Sequence, residues 1–260
     1  MSRLVPPRRW VAPQLPEGTS ARAAAGAILQ AALAQARSNA RGAIDSPDAE
    51  HLHQLRVGLR RYRSALRLFR DLLRKKPRRR LARRSRQAME PLGVVRDWDV
   101  CIEWLQGVGA PKDLLRRAKG RREIVRESLE PVDLSQLEPP ASAWKENSGS
   151  LEQLRLRALP KARRQVTKRL RGIDWNAAEE RHRLRIAVKR LRYATDSLGG
   201  QTRALERLQD RLGELNDLAV ARGLLAHLRP PASLLRKLAA DERRLLAALR
   251  RQRAALEPED

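Results

Sequence analysis

The sequence predicts an all-α protein, built as four helices, a linker and four more helices by internal duplication. Three observations predict it. Apolar residues recur at helical spacing through most of the 260 residues. One Phe and two Tyr are too few to support a β-rich fold. Two motifs also recur in the same order in both halves, the mark of a repeat.

Residues 1–18 hold Pro6, Pro7, Pro13 and Pro16 and show no helical period, so they read as a flexible tail. Thr19 or Ser20 can cap a first, alanine-rich helix. Ser46-Pro47-Asp48 supplies a capping residue, a proline for the first helical position and an early acid, starting a second helix. That helix is expected to run to Lys76, where Pro77 stops it. A third spans 78–106 with a kink at Pro91, and a fourth spans 111–129. Residues 130–150 carry three prolines without a period and read as a linker. Helical pattern resumes over 151–171, 176–198, 201–228 and 232–256, punctuated by Gly172, Gly199-Gly200 and Pro230-Pro231. The expected bundles are therefore 19–129 and 151–256.

The repeat is visible residue by residue. His53-Gln-Leu55-Arg56-Val57-Gly-Leu59-Arg60-Arg61-Tyr-Arg63 matches His182-Arg-Leu184-Arg185-Ile186-Ala-Val188-Lys189-Arg190-Leu-Arg192 at an offset of 129. Downstream, Leu92-Gly93-Val-Val95-Arg96-Asp97-Trp-Asp99 matches Leu212-Gly213-Glu-Leu215-Asn216-Asp217-Leu-Ala219 at an offset of 120.

Charge narrows the function. The chain has 56 Lys plus Arg against 30 Asp plus Glu, a net charge of +26, and 47 of the cations are Arg. Arginine's planar fork suits bidentate contact with phosphate, so the expected partner is a polyanion. The single cysteine, Cys101, excludes an internal disulfide framework and cysteine-rich zinc sites, and makes a cytoplasmic location the default. No signal-peptide core and no run of about 20 apolar residues is present, so no membrane association is expected. Scarce aromatics count against a base-stacking groove.

On a helix, His53, Arg56, Arg60, Arg63, Arg67, Arg70 and Arg74 fall in a sector of roughly 100°, a basic stripe about 30 Å long. Leu55, Leu59, Tyr62, Leu66, Phe69 and Leu73 form the adjacent apolar stripe. His182, Arg185, Lys189 and Arg192 repeat the basic stripe beside Leu184, Val188, Leu191 and Leu198. The second track is shorter, because Asp196 stands where the first half has Arg67. No acid interleaves residues 56–70, although like charges three and four apart repel by a few tenths of a kcal/mol. A ligand would explain keeping that arrangement twice. Arg78 to Arg80, Arg121-Arg122 and Arg250-Arg251 read instead as solvated surface.

Each stripe begins with a histidine that can donate to a phosphate oxygen or to a backbone carbonyl. A metal role is disfavoured, because His51 and His53 point in different directions and arginines surround them. Asp97 and Asp99 could hold magnesium for phosphoryl transfer. The second copy has lost one acid to Ala219, which favours helix positioning or an ion pair with arginine. Gly93 and Gly213 read as sites of close helix packing. No metal, cofactor or catalytic residue is expected.

The HQLRVGLRRYR and HRLRIAVKRLRY segments, each followed by LGVVRDWDV or LGELNDLAV, resemble the CHAD domain, the conserved histidine α-helical domain. The resemblance covers about residues 20–256. It implies two antiparallel four-helix bundles related by pseudo-twofold symmetry, with a basic surface or pore between them that binds inorganic polyphosphate and targets polyphosphate granules. It implicates His53, Arg56, Arg60, Arg61 and Arg63, then His182, Arg185, Lys189, Arg190 and Arg192. Arg67 is added from the stripe alone. The Glu-x-Glu-x-Lys signature of the CYTH triphosphatase that often accompanies the domain is missing, and the bundles leave no room for a second catalytic domain. The expectation is a stand-alone, non-enzymatic binder. A nucleic-acid-binding protein, attracted by charge without base readout, is the alternative, and an enzyme acting on phosphate chains is a third reading.

Overall fold

The computed structural model describes residues 5–146, 149–198, 200 and 203–254. Their helices are α1 (Ala21–Asp45), α2 (Ala49–Leu68), α3 (Lys75–Gly107), α4 (Lys112–Glu127), α5 (Leu151–Arg171), α6 (Ala178–Ser197), α7 (Arg203–Leu225) and α8 (Ala232–Ala254). Single 3-10 turns lie at Ser135–Leu137, Ala141–Ala143 and Ala226–Leu228. No strand occurs among the described residues, and the protein is all-α as the sequence predicts. Gly199 and residues 147–148, 201–202 and 255–256, which the predicted linker, breaks and boundaries touch, lie outside the described residues, as do residues 1–4 of the tail.

Local chemistry sets the helix starts. Ser20 accepts from the Ala23 amide at 3.1 Å and caps α1. Asp48, rather than Ser46, caps α2, accepting from the Glu50 amide at 2.9 Å. Ser46 holds the turn between the helices, its hydroxyl accepting from the Asp48 amide at 3.1 Å. At α5, Ser150 accepts from the Gln153 amide at 3.2 Å, and the Gln153 side chain accepts back from the Ser150 amide at 3.4 Å. This reciprocal pair is a capping box.

The chain divides into two compact units that do not follow the sequence halves. One comprises Met1–Arg96, Ser128–Leu159 and Tyr193–Gly200; the other comprises Asp97–Glu127, Pro160–Arg192 and Gln201–Asp260. Helices α3, α5 and α6 each contribute residues to both. In α3, Leu81, Leu92 and Val95 are buried in the first unit, and Trp98, Cys101 and Leu105 in a core cluster of the second. A 33-residue helix is long enough to serve both cores.

In the first unit the predicted apolar stripe of α2 is the core. Leu55, Leu59, Tyr62, Leu66 and Phe69 are all at most 2% exposed, and burying one such side chain is worth about 1.5–3 kcal/mol. Alanine-rich α1 lies close against α2 at Gly58, where a Cβ would stand 2.8 Å from the Ala36 nitrogen and 2.9 Å from the Ala32 oxygen. His51 is buried over Gly42 in the same way. In the second unit, Val166, Leu184, Val188, Leu191, Leu212 and Leu249 belong to one buried cluster.

The structure differs from the sequence-based expectations at the end of α2, at Pro77, in the 130–150 segment and in the tail. Helix α2 ends at Leu68 and not at Lys76, because Phe69, Leu72 and Leu73 turn inward and are buried. Backbone bonds hold that turn, Arg74 donating to Ala143 at 2.8 Å and Lys145 donating to Leu72 at 3.0 Å. Pro77 falls in the first turn of α3, where its missing N–H is not needed, so it does not stop a helix. The 130–150 linker is pinned to the first unit: Leu134, Leu137 and Ala143 are buried, and the Tyr62 hydroxyl donates to the Leu137 carbonyl. The described part of the tail is anchored as well. Buried Asn39 accepts from the Arg8 amide at 3.1 Å and donates to the Arg8 carbonyl at 2.9 Å.

Candidate anion-binding site

Within the first unit, α2 turns its apolar stripe inward and carries the basic stripe along its outer side. His53, Arg56, Arg60 and Arg63 are half-buried there and Arg67 is exposed. Arg56 donates from Nη1 to the Met89 carbonyl at 3.3 Å, and Arg63 donates from Nη1 to Met89 Sδ at 3.6 Å. These contacts fix two guanidinium stems against α3. Gly93 makes room for one of them, since a Cβ there would stand 3.3 Å from Arg56 Nη1. Nothing lies within 4 Å of a Cβ built on Gly213, so the predicted close packing does not occur at that copy.

The face is electrostatically loaded. Partial burial, then the charges of Arg86 and Arg60, hold the Arg63 guanidinium below the usual arginine range. An anion at this point would relieve repulsion that the protein otherwise carries.

The stripe is shorter than predicted. Arg70 and Arg74 lie beyond the end of α2, so His53 to Arg67 spans about 21 Å at 1.5 Å per residue.

Arg61 is committed elsewhere. Its guanidinium pairs with Asp196 and lies 4.3 Å from the centre of the Trp10 ring and 5.2 Å from that of Tyr193. Its side chain is 10% exposed. The resemblance implies a phosphate contact; the structure places Arg61 in a buried ion pair between two aromatic faces. Asp196 thereby gains a role of its own: where the first half has an arginine of the stripe, the second has the carboxylate that holds Arg61.

In the second unit, α6 carries His182 and Arg190 exposed and Arg185, Lys189 and Arg192 half-buried. His182 and Arg185 line a cleft of about 340 Å³ together with Glu179, Leu212, Asn216 and Ala219. The two repeated motifs of this half therefore meet at one place, α6 supplying the cations and α7 the opposite wall. Arg192 pairs with Glu206 at 3.4 Å. Although Arg190 is exposed, partial desolvation, then the charge of Arg169, lowers it from the usual arginine range. Like Arg61, its counterpart in the repeat, Arg190 is one residue off the stripe.

Asp99 is buried and accepts from Arg122 Nε at 2.8 Å. Of the two accounts that the sequence favours over a magnesium site, helix positioning and an ion pair with arginine, Asp99 shows the ion pair. Arg122 thereby departs from the solvated surface expected of the Arg121-Arg122 run, its side chain being 12% exposed. Sequence reasoning missed Arg86, the α3 residue whose charge reaches Arg63. Its place at the end of a row of α3 cations, Lys75, Arg79 and Arg83, that repeats at helical spacing was the available signal.

All-helical units with arginine-lined helix faces define the class of this protein, and sequence comparison defines its family. The CHAD domain profile matches residues 27–226, and the chain belongs to the CHAD domain family. The crystal structure of the CHAD domain from the plant Ricinus communis is similar at a TM-score of 0.73 and 26% identity, over 98% of this chain and 93% of that one. PptA from Streptomyces chartreusis shares the fold at a TM-score of 0.67 and 18% identity, over 92% of this chain and 99% of that one. No curated protein matches the chain.

Proposed function

We propose that the protein binds inorganic polyphosphate without hydrolysing it, through Arg56, Arg60 and Arg63 of α2 and through His182, Arg185 and Lys189 of α6, and that it associates with polyphosphate granules. The observation that carries this reading is the α2 face. Three guanidiniums share it, two of them are braced on Met89, and Arg63 feels repulsion from its cationic neighbours. Preformed cations lose little freedom on binding, and a chain of phosphates can engage them in series. Family membership supports the reading, as does the engagement of Asp99 by Arg122, which leaves that carboxylate poorly placed for phosphoryl transfer.

The test is binding of labelled long-chain polyphosphate at roughly 150 mM salt, in competition with duplex DNA at equal phosphate. Arg56→Gln/Arg60→Gln/Arg63→Gln is compared with wild type, and phosphate release with magnesium is followed in parallel. Expected are selective polyphosphate binding, its loss in the variant at unchanged helicity, and no phosphate release. The slope of log affinity against log salt should fall by about 2 if three contacts are lost. Displacement by DNA at equal phosphate would favour general attraction by the net charge of +26 and overturn the proposed specificity.

A further inference from the structure

A second row of cations runs along α3 and belongs to neither repeated motif. Lys75, Arg79, Arg83 and Arg86 follow one another at intervals of four, four and three residues. At about 100° per residue they occupy a sector of roughly 80°. All four are exposed, while Leu81 and Leu92 face the core from the other side of the helix. Between Lys75 and Met89 there are eight cations and no acid; Glu90 is the first. An ordinary solvated helix face intersperses acids, because like charges three and four residues apart repel.

The register of α2 against α3 brings this row beside the first. Arg56 reaches Met89 and the open side of Gly93, Arg63 reaches Met89, and Arg63 also lies within the field of Arg86. The two helices are joined by the tight turn at residues 69–74 and run in opposite senses, so moving forward on α2 means moving back on α3. Going from Arg56 opposite Gly93 to Arg63 opposite Arg86 is seven residues each way. Carried one further turn, the same register sets Arg67 opposite Ala82, next to Arg83. Helix α2 stops at Leu68, and beyond that point Arg79 and Lys75 continue the cationic surface.

We propose that Arg79, Arg83 and Arg86 form a second row of phosphate contacts, so that an extended phosphate chain lies along the α2–α3 hairpin between two rows of guanidiniums. This rests on the polyphosphate reading and deepens it. From Arg79 to Arg86 the added row is about 10 Å long at 1.5 Å per residue, and Lys75 extends the cationic surface by one more turn. It compensates for the part of the stripe lost where α2 ends early.

The experiment uses the full chain and labelled long-chain inorganic polyphosphate. Arg79→Gln/Arg83→Gln/Arg86→Gln is compared with the α2 triple variant and with a charge-matched control, Arg236→Gln/Arg243→Gln/Arg251→Gln, whose residues are exposed on α8. Affinity is measured across a salt series and helicity by circular dichroism. The α3 variant should bind at least tenfold more weakly than the control, with a salt slope lower by about 2. Single Arg83→Gln, a mild surface change, should weaken binding about threefold and serves if the triple variant loses helicity. An α3 variant indistinguishable from the control, beside an α2 variant that has lost binding, overturns the second row and leaves the α2 site standing. If the α2 variant also matches the control, the polyphosphate reading itself fails.

Discussion

Replacing Arg61 by Ala should destabilise the first unit by about 3 kcal/mol and leave polyphosphate affinity of the folded protein unchanged. The figure follows from the surroundings of Arg61. Its side chain is 10% exposed and that of Asp196 28%, and removing one member of a buried pair costs about 3–5 kcal/mol because the remaining charge is stranded. Partial access of water to Asp196 reduces that to about 2 kcal/mol. The ring faces of Trp10 and Tyr193, 4.3 and 5.2 Å away, add about 0.5 kcal/mol each. Urea unfolding followed by circular dichroism measures the loss, which for a protein of this size is equivalent to a fall of roughly 6–12 °C in Tm. Adding Asp196→Ala should recover about 1–2 kcal/mol, since the stranded carboxylate disappears with its partner. Binding is then measured well below the unfolding midpoint. An Arg61→Ala protein with unchanged stability and tenfold weaker polyphosphate binding would refute the reasoning and restore Arg61 to the binding face.

Two further predictions concern packing and alkaline stability. Gly58→Ala should cost about 1–3 kcal/mol, because the new Cβ would meet α1 backbone at 2.8 and 2.9 Å. Gly93→Ala should stay within about 1 kcal/mol of wild type, since its nearest neighbour is the tip of the long Arg56 side chain at 3.3 Å, which need give by only a few tenths of an ångström, and alanine favours the helix; thermal melts giving equal losses would contradict this packing. Burial pushes the Cys101 thiol up to about 11 from 9.0. The folded thiol therefore keeps its proton where the unfolded one has lost it, and stability should fall as pH rises from about 9 to 11. Urea midpoints across that range should decline less steeply in Cys101→Ala, and an identical decline would remove Cys101 as the cause. Burial likewise raises Tyr62, so a decline at higher pH common to both proteins is expected.

The helical class and the inward faces were legible because they depend on period alone. Leu55, Leu59, Tyr62 and Leu66 are spaced to share one side of a helix whatever it packs against, and all four are buried. The outer cations Arg56, Arg60 and Arg63 were legible for the same reason. Period also overreached, since the pattern of leucines continues smoothly past Leu68 to Leu73 while the chain turns. The turn is held by backbone bonds to Ala143 and Lys145, roughly seventy residues away, which no local pattern records. The tail and the 130–150 segment differ from their pattern in the opposite sense. They have no period, yet Asn39 holds the tail by two hydrogen bonds to Arg8, and Tyr62 helps hold the 130–150 segment through the Leu137 carbonyl.

Arg61 and Arg63 show where the boundary lies. The sequence by itself determined that both are cations on a helix with one apolar side, and that the chain carries a net charge of +26, because composition and angular spacing are properties of the chain. Only the tertiary structure decided that Arg61 is enclosed by Trp10, Tyr193 and Asp196, residues from distant stretches, while Arg63 stays on the basic face beside Arg86. The division of the chain into units that cut across α3, α5 and α6 was decided there too. The physical reason is that a charged side chain's role depends on which neighbours desolvate and neutralise it, and those neighbours are set by packing between segments far apart in the chain.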